Sequence, residues 1–176
     1  MNGALLPIHG DGEKPVELTQ EQAWSPPRRS PAAWPRRSHL ELGAYPTAPG
    51  SARGHAGNVL REWRLGQFAE AAEVVVSELV TNSVQATRAV RWPTRQPPVR
   101  LWLVSDGSSV LVRVWDAVTS PPERRPAGLE DECGRGLAIV TALCSDWGHH
   151  YPPPDTGGKI TWAHITSPWM TEEAFS

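Results

Sequence analysis

A chain of 176 residues is long enough for one domain with its own core plus a tail. Its net charge of −2 supplies no global basic field for nucleic acid, and its two cysteines, Cys133 and Cys144, make neither a disulfide framework nor a metal cluster. No apolar run reaches the roughly 18 residues of a membrane span, and the opening MNGALLPIHGDGEKP lacks a signal peptide's basic start and long apolar core, so a reducing cytoplasm is the expected setting.

Residues 1–37 are expected to form a disordered tail, since SPPRRSPAAWPRR carries neither a helical nor a strand period. The domain is placed at 38–167, with a second short tail at 168–176. It opens on HLELGAYPTA, where Leu40, Leu42 and Ala44 alternate with polar neighbours as in a strand. PGSARGHAGNVLREWRL follows as a helix, with Ser51 as its cap and Gly66 as its stop. A second helix runs from about Phe68 to Arg88, through VVVSELVTNSVQAT, and RWPTRQPP then forms a loop. VRLWLVSDGSSVLVRVWDA is a hairpin: two alternating runs turn at Asp106-Gly107. VTSPPERRPAGLEDE is irregular and is expected to be a mobile loop. GRGLAIVTALCSDWG begins glycine-rich and becomes helical, with Leu137, Val140 and Leu143 on its apolar side. WGHHY and KITWAHIT close the domain as two strands. Three of the nine tryptophans, Trp102, Trp115 and Trp162, fall inside strands and are expected to fill a core. This order predicts an α/β (α+β) two-layer sandwich, a mostly antiparallel sheet with helices on one face.

Three clusters carry candidate chemistry. Glu78 and Asn82 lie one turn apart at the margin of a buried helix face. There a carboxylate can accept a proton and an amide oxygen can ligate a hard cation, although a surface Glu and a satisfied Asn have the same spacing. Asp116 ends an apolar strand, where its carboxylate can accept hydrogen bonds from an amine or ring N–H, or simply start a turn. Gly134-Arg135-Gly136-Leu137 opens a helix: the glycines allow close backbone approach, the helix N-terminus attracts phosphate, and Arg135 adds charge. A flexible hinge accounts for the same glycines.

Taken in order, ELVTNS, RVWDAVTSPP, GRGLAIVTAL, DWG and GGKITWAHI resemble the Bergerat-type GHKL ATP-binding fold, and within it the RsbW/SpoIIAB-like anti-sigma factor serine kinases. The resemblance spans about Leu40 to Ile165. It implies Glu78 as general base towards a serine hydroxyl on a protein substrate and Asn82 as the magnesium ligand. It further implies Asp116 as reader of the adenine amino group, and Gly134, Gly136 and neighbouring backbone as the phosphate loop, with Asp131 to Arg135 in a lid. The implied ligands are ATP and Mg2+; the implied partners are a sigma factor and an antagonist protein, without direct nucleic-acid or membrane binding, and relatives are often homodimers. The chain departs from the family at Ala86, where many relatives have histidine, and at Val118, where a glycine is usual. Lys159 stands where a strand threonine supports the adenine site, with Thr161 nearby but expected to point elsewhere; such a lysine can approach phosphate.

Two functions compete. One is a Mg-ATP-dependent serine/threonine kinase acting on an antagonist and controlling transcription by sigma-factor sequestration. The other is a nucleotide-responsive binding module with little or no catalysis. Glu78 favours the first and the altered adenine-site positions the second. A histidine-kinase fragment is a weaker third choice, because residues 1–37 offer no helical hairpin with a phospho-accepting histidine.

Overall fold

A computed structural model describes residues 33–122 and 136–166. Its elements are β1 (Arg36–Leu42), α1 (Ala48–Glu62), α2 (Ala69–Ala89), β2 (Val99–Ser105), β3 (Ser109–Asp116), α3 (Gly136–Leu143), β4 (Asp146–His150) and β5 (Lys159–Thr166), with a 3-10 turn at Gly66–Phe68 before α2. The five strands form one sheet in the order β1-β2-β3-β5-β4. Every pairing in it is antiparallel.

Strand alternation divides the apolar residues between two faces. Val99, Leu101 and Leu103 of β2, Val110, Val112 and Val114 of β3, and Ala163 and Ile165 of β5 join one core with all three helices. From α2 that core takes Ala72, Val75, Val76, Leu79, Val80 and Val84, the stripe a 3.6-residue period places on one side. The three helices therefore cover one face, and the expected α+β two-layer sandwich is what forms. Trp34, Val104 and Leu111 make a smaller cluster on the other face, with Trp162 packed against it. Trp102, Trp115 and Trp162 thus lie on the face away from the main core, Trp115 buried beneath the Arg100 guanidinium, 4.9 Å from its ring centroid, whereas Trp147 of β4 packs against the main core. Residues of β3 are buried at every position, because both faces are covered.

Several boundaries differ from expectation. β1 begins at Arg36, and Trp34 is buried before it, so structured residues extend into the segment assigned to the tail. Helix α1 starts at Ala48 instead of Ser51: Pro49 occupies its first turn, where a missing N–H costs nothing, and Ser51 lies inside with its hydroxyl turned back on the Thr47 carbonyl at 3.5 Å. The helix stops before Gly66. Arg64 adopts the left-handed conformation (φ 59°), and Leu65 N–H closes the end on the Leu60 carbonyl at 2.8 Å.

The β2–β3 turn is held by one carboxylate. Asp106 Oδ1 accepts the backbone N–H and hydroxyl of Ser108, both at 2.9 Å, and those of Ser109 at 2.8 and 3.0 Å. Gly107 supplies the positive φ of 94° that the turn requires. Burial alone would raise the Asp106 pKa, but these hydrogen bonds outweigh it and hold the carboxyl below its ordinary value. A lowered pKa stabilises the fold above the unfolded-state value, near 3.9, and that contribution is lost as pH falls through the folded-state value. Asp106→Ala is expected to cost about 1–3 kcal/mol at neutral pH. The deficit should shrink on acidification below about pH 4, measured by urea midpoints across a pH series.

Candidate functional site

A cavity of about 440 Å³ opens between the C-terminal half of α2, the end of β3 and the start of β5. Asn82 and Ala86 come from α2, Asp116 and Val118 from the end of β3, and Lys159 and Thr161 from β5. The sheet register makes this junction, because Asp116 and Lys159 are direct cross-strand partners. Lys159 and Thr161, two apart on one strand, face the helical layer together. Thr161 therefore lines the cavity beside Lys159, contrary to the expectation that it points elsewhere.

Asp116 is 0% exposed and Lys159 is 3% exposed. Lys159 Nζ donates to Asp116 Oδ1 at 2.8 Å and to the Val118 carbonyl at 3.2 Å. Val118 N–H donates to the same Oδ1 at 3.0 Å. The lysine expected to approach phosphate is thus held at the opposite carboxylate, since a fully desolvated charge is tolerable only against a partner. The other carboxylate oxygen, Asp116 Oδ2, is buried with no hydrogen-bond partner among the described residues. Leaving a charged acceptor in that state is costly in a closed protein, so Oδ2 is an acceptor available to a donor.

The turn before β5 holds this pair in place. Gly157 and Gly158 have φ of 62° and 72°. A Cβ on Gly158 would strike the Asp116 carbonyl oxygen and the Trp115 indole nitrogen. Trp115 Nε1 in turn donates to the Gly157 carbonyl at 3.0 Å, fastening the turn to β3. These glycines and the ion pair are the part of the site that motif spacing overlooked. The available signal was Lys159 itself, one of only two lysines in an arginine-rich chain, at the first residue of a strand.

The α2 pair is split by the structure. Asn82 lines the cavity, and its amide makes no hydrogen bond among the described residues. Glu78 sits one turn earlier, half-buried and outside the cavity lining, with its carboxylate against the α-carbon of Gly136 at the start of α3. A side chain at position 136 would collide with that carboxylate, so a glycine there brings α3 onto Glu78. Leu137 turns its side chain into the core, which leaves its backbone as the part available to a ligand. Gly134, Arg135, Asp131 and Cys133 lie outside the described residues. Cys144 is described, and burial pushes its thiol up to about 12, far from a reactive thiolate. No group of three His, Cys, Asp or Glu able to hold a metal occurs among the described residues. A cation at Asn82 would complete its shell with ligand oxygens and water, the pattern hard divalent ions favour. No helix among the described residues is long and apolar enough to cross a membrane.

The family model for the histidine kinase-like ATPase domain matches residues 44–164. Among solved structures, the fold is similar to that of the RsbU and RsbW domains of Rv1364c from Mycobacterium tuberculosis, with a TM-score of 0.52 and 18% identity. The match covers 74% of this chain and 32% of that one, so the chain spans about a third of that relative's length. No curated protein matches the sequence.

Proposed function

Because the chain belongs to the histidine kinase-like ATPase family, we propose that the cavity between α2, β3 and β5 binds ATP with Mg2+, and that the protein is a regulator of the anti-sigma factor kinase type. The observation that carries this reading is the buried, unpartnered Oδ2 of Asp116 on the cavity wall. It offers an acceptor where an adenine amino group can donate. Asn82, uncommitted on the same wall, would hold the metal, which when bound neutralises charge on the phosphates and orients them for transfer. The phosphate end would extend from Asn82 towards Gly136.

Glu78 then has a specific task. Its half-buried carboxylate, one turn from Asn82, accepts a proton from a serine or threonine hydroxyl of an antagonist protein as that oxygen bonds to the γ-phosphorus of ATP, the β–γ bridging P–O bond breaks and ADP leaves. The partners of this reading are that antagonist and a sigma factor, in the cytoplasm, with control of transcription by sequestration and with the protein acting as a monomer or homodimer.

A second reading rests on the Lys159–Asp116 ion pair, which already neutralises the carboxylate at the base end. In it, nucleotide tunes the shape of a protein-binding module and no phosphate is transferred. Glu78→Ala separates the two. With a cognate antagonist and labelled ATP, the variant should bind nucleotide like the wild type and transfer phosphate about 10²–10⁴-fold more slowly. Absence of transfer by the wild type, with ATP bound and antagonist present, establishes the binding module instead.

A further inference from the structure

The base end of the cavity holds more than one reading group. An ammonium has three N–H donors. Lys159 Nζ uses one on Asp116 Oδ1 and one on the Val118 carbonyl, and no third protein acceptor meets it among the described residues. Both side chains line the cavity, and both are more than nine-tenths buried. The wall therefore presents, side by side, one unspent acceptor, Asp116 Oδ2, and one unspent donor on Lys159 Nζ. The pair complements a planar edge with an amino donor next to a ring-nitrogen acceptor.

Resting on the ATP reading above, we propose that Lys159 is a specificity-determining residue that donates directly to the Watson–Crick ring nitrogen of the base, while Asp116 Oδ2 accepts from the adjacent amino group. The protein then reads both atoms of that edge with charged side chains. Such recognition penalises any base lacking either atom, because the omitted partner leaves a buried charged group unpaired. The ion pair does not compete with the base: Oδ1 is spent on Lys159 and Val118, and Oδ2 remains for the ligand. Val118 contributes through its backbone, N–H to the carboxylate and carbonyl to the ammonium, and so keeps the two heads in register.

The test compares three nucleotides on the full chain with magnesium: ATP, its analogue with C–H in place of the Watson–Crick ring nitrogen, and its analogue lacking the exocyclic amine. The assignment predicts that each analogue binds wild type on the order of 10-fold or more weaker than ATP. In Lys159→Met the ring-nitrogen penalty should vanish while the amine penalty stays. Should that variant fold poorly, Asp116→Asn combined with Lys159→Met removes both charges; the ring-nitrogen penalty should again vanish, and the amine penalty should shrink but persist, since a neutral amide oxygen is a weaker acceptor than a carboxylate. Equal binding of ATP and the ring-nitrogen analogue by wild type overturns the role of Lys159 and leaves the nucleotide reading standing. A preference for GTP over ATP also overturns it. No binding of ATP at all rejects the nucleotide reading, and this assignment with it.

Discussion

Asp116→Ala is expected to destabilise the domain by about 3–5 kcal/mol and to abolish nucleotide binding in whatever fraction remains folded. The first effect follows from Lys159. Lys159 is 3% exposed and, among the described residues, its one ion-pair partner is Asp116 at 2.8 Å, so the substitution leaves a desolvated charge with only the Val118 carbonyl. That loss is a large part of the 5–15 kcal/mol by which domains of ordinary stability fold. The second effect follows from Oδ2, the acceptor proposed for the base. The two can be measured apart. Asp116→Asn with Lys159→Met removes both charges and should recover most of the stability, since replacing a buried pair by neutral groups is often close to neutral. It should not recover selective ATP binding. Chemical denaturation of the single and double variants gives the stability comparison, and a double variant as unstable as Asp116→Ala would show that the ion pair is not the cause.

Asn82→Ala should behave in the opposite way. The Asn82 amide makes no hydrogen bond among the described residues, and the side chain is only partly buried, so its removal leaves nothing unsatisfied. The expected stability change is within about 0.5 kcal/mol. Magnesium-dependent ATP affinity should fall about 10–100-fold, because the variant lacks the amide proposed to hold the cation. Calorimetric titration with and without magnesium checks this. The wild type should show a large magnesium effect and the variant almost none. An Asn82→Ala protein that unfolds would mean that the amide is structural.

Much of this architecture was legible in the sequence because its causes are local. Asp106-Gly107 between two apolar runs sets the hairpin, and the side chain of Asp106 does the work that the motif implies. The α2 stripe from Ala72 to Val84 follows from helical periodicity. The end of α1 was misplaced because Arg64 adopts a left-handed conformation that glycine usually supplies, so Gly66 looked like the stop. Trp102, Trp115 and Trp162 are expected in a core, but alternation gives two faces without saying which one the helices cover; they lie on the face opposite the helices, where Trp162 packs against the smaller cluster.

At the site, Asp116 and Asn82 could be picked out from position within their own elements. The Lys159–Asp116 pair could not. It depends on the β3–β5 register between residues 43 apart, which is set by packing and by the Gly157-Gly158 turn. Lys159 read alone suggests a phosphate contact, whereas the register carries it to the Asp116 carboxylate. Glu78 and Gly136 meet for a similar reason: the approach of α3 to α2 is a tertiary contact, invisible in the spacing of either segment.

The central claim is that Asp116, Lys159 and Asn82 line an ATP site. Its most direct measurement is calorimetric titration of the wild type, Asn82→Ala and the Asp116→Asn, Lys159→Met double variant with ATP in magnesium. One saturable site in the wild type, weakened about 10–100-fold by Asn82→Ala and weakened or lost in the double variant, is the predicted result. Equal ATP binding by all three proteins, or none by the wild type, would contradict it.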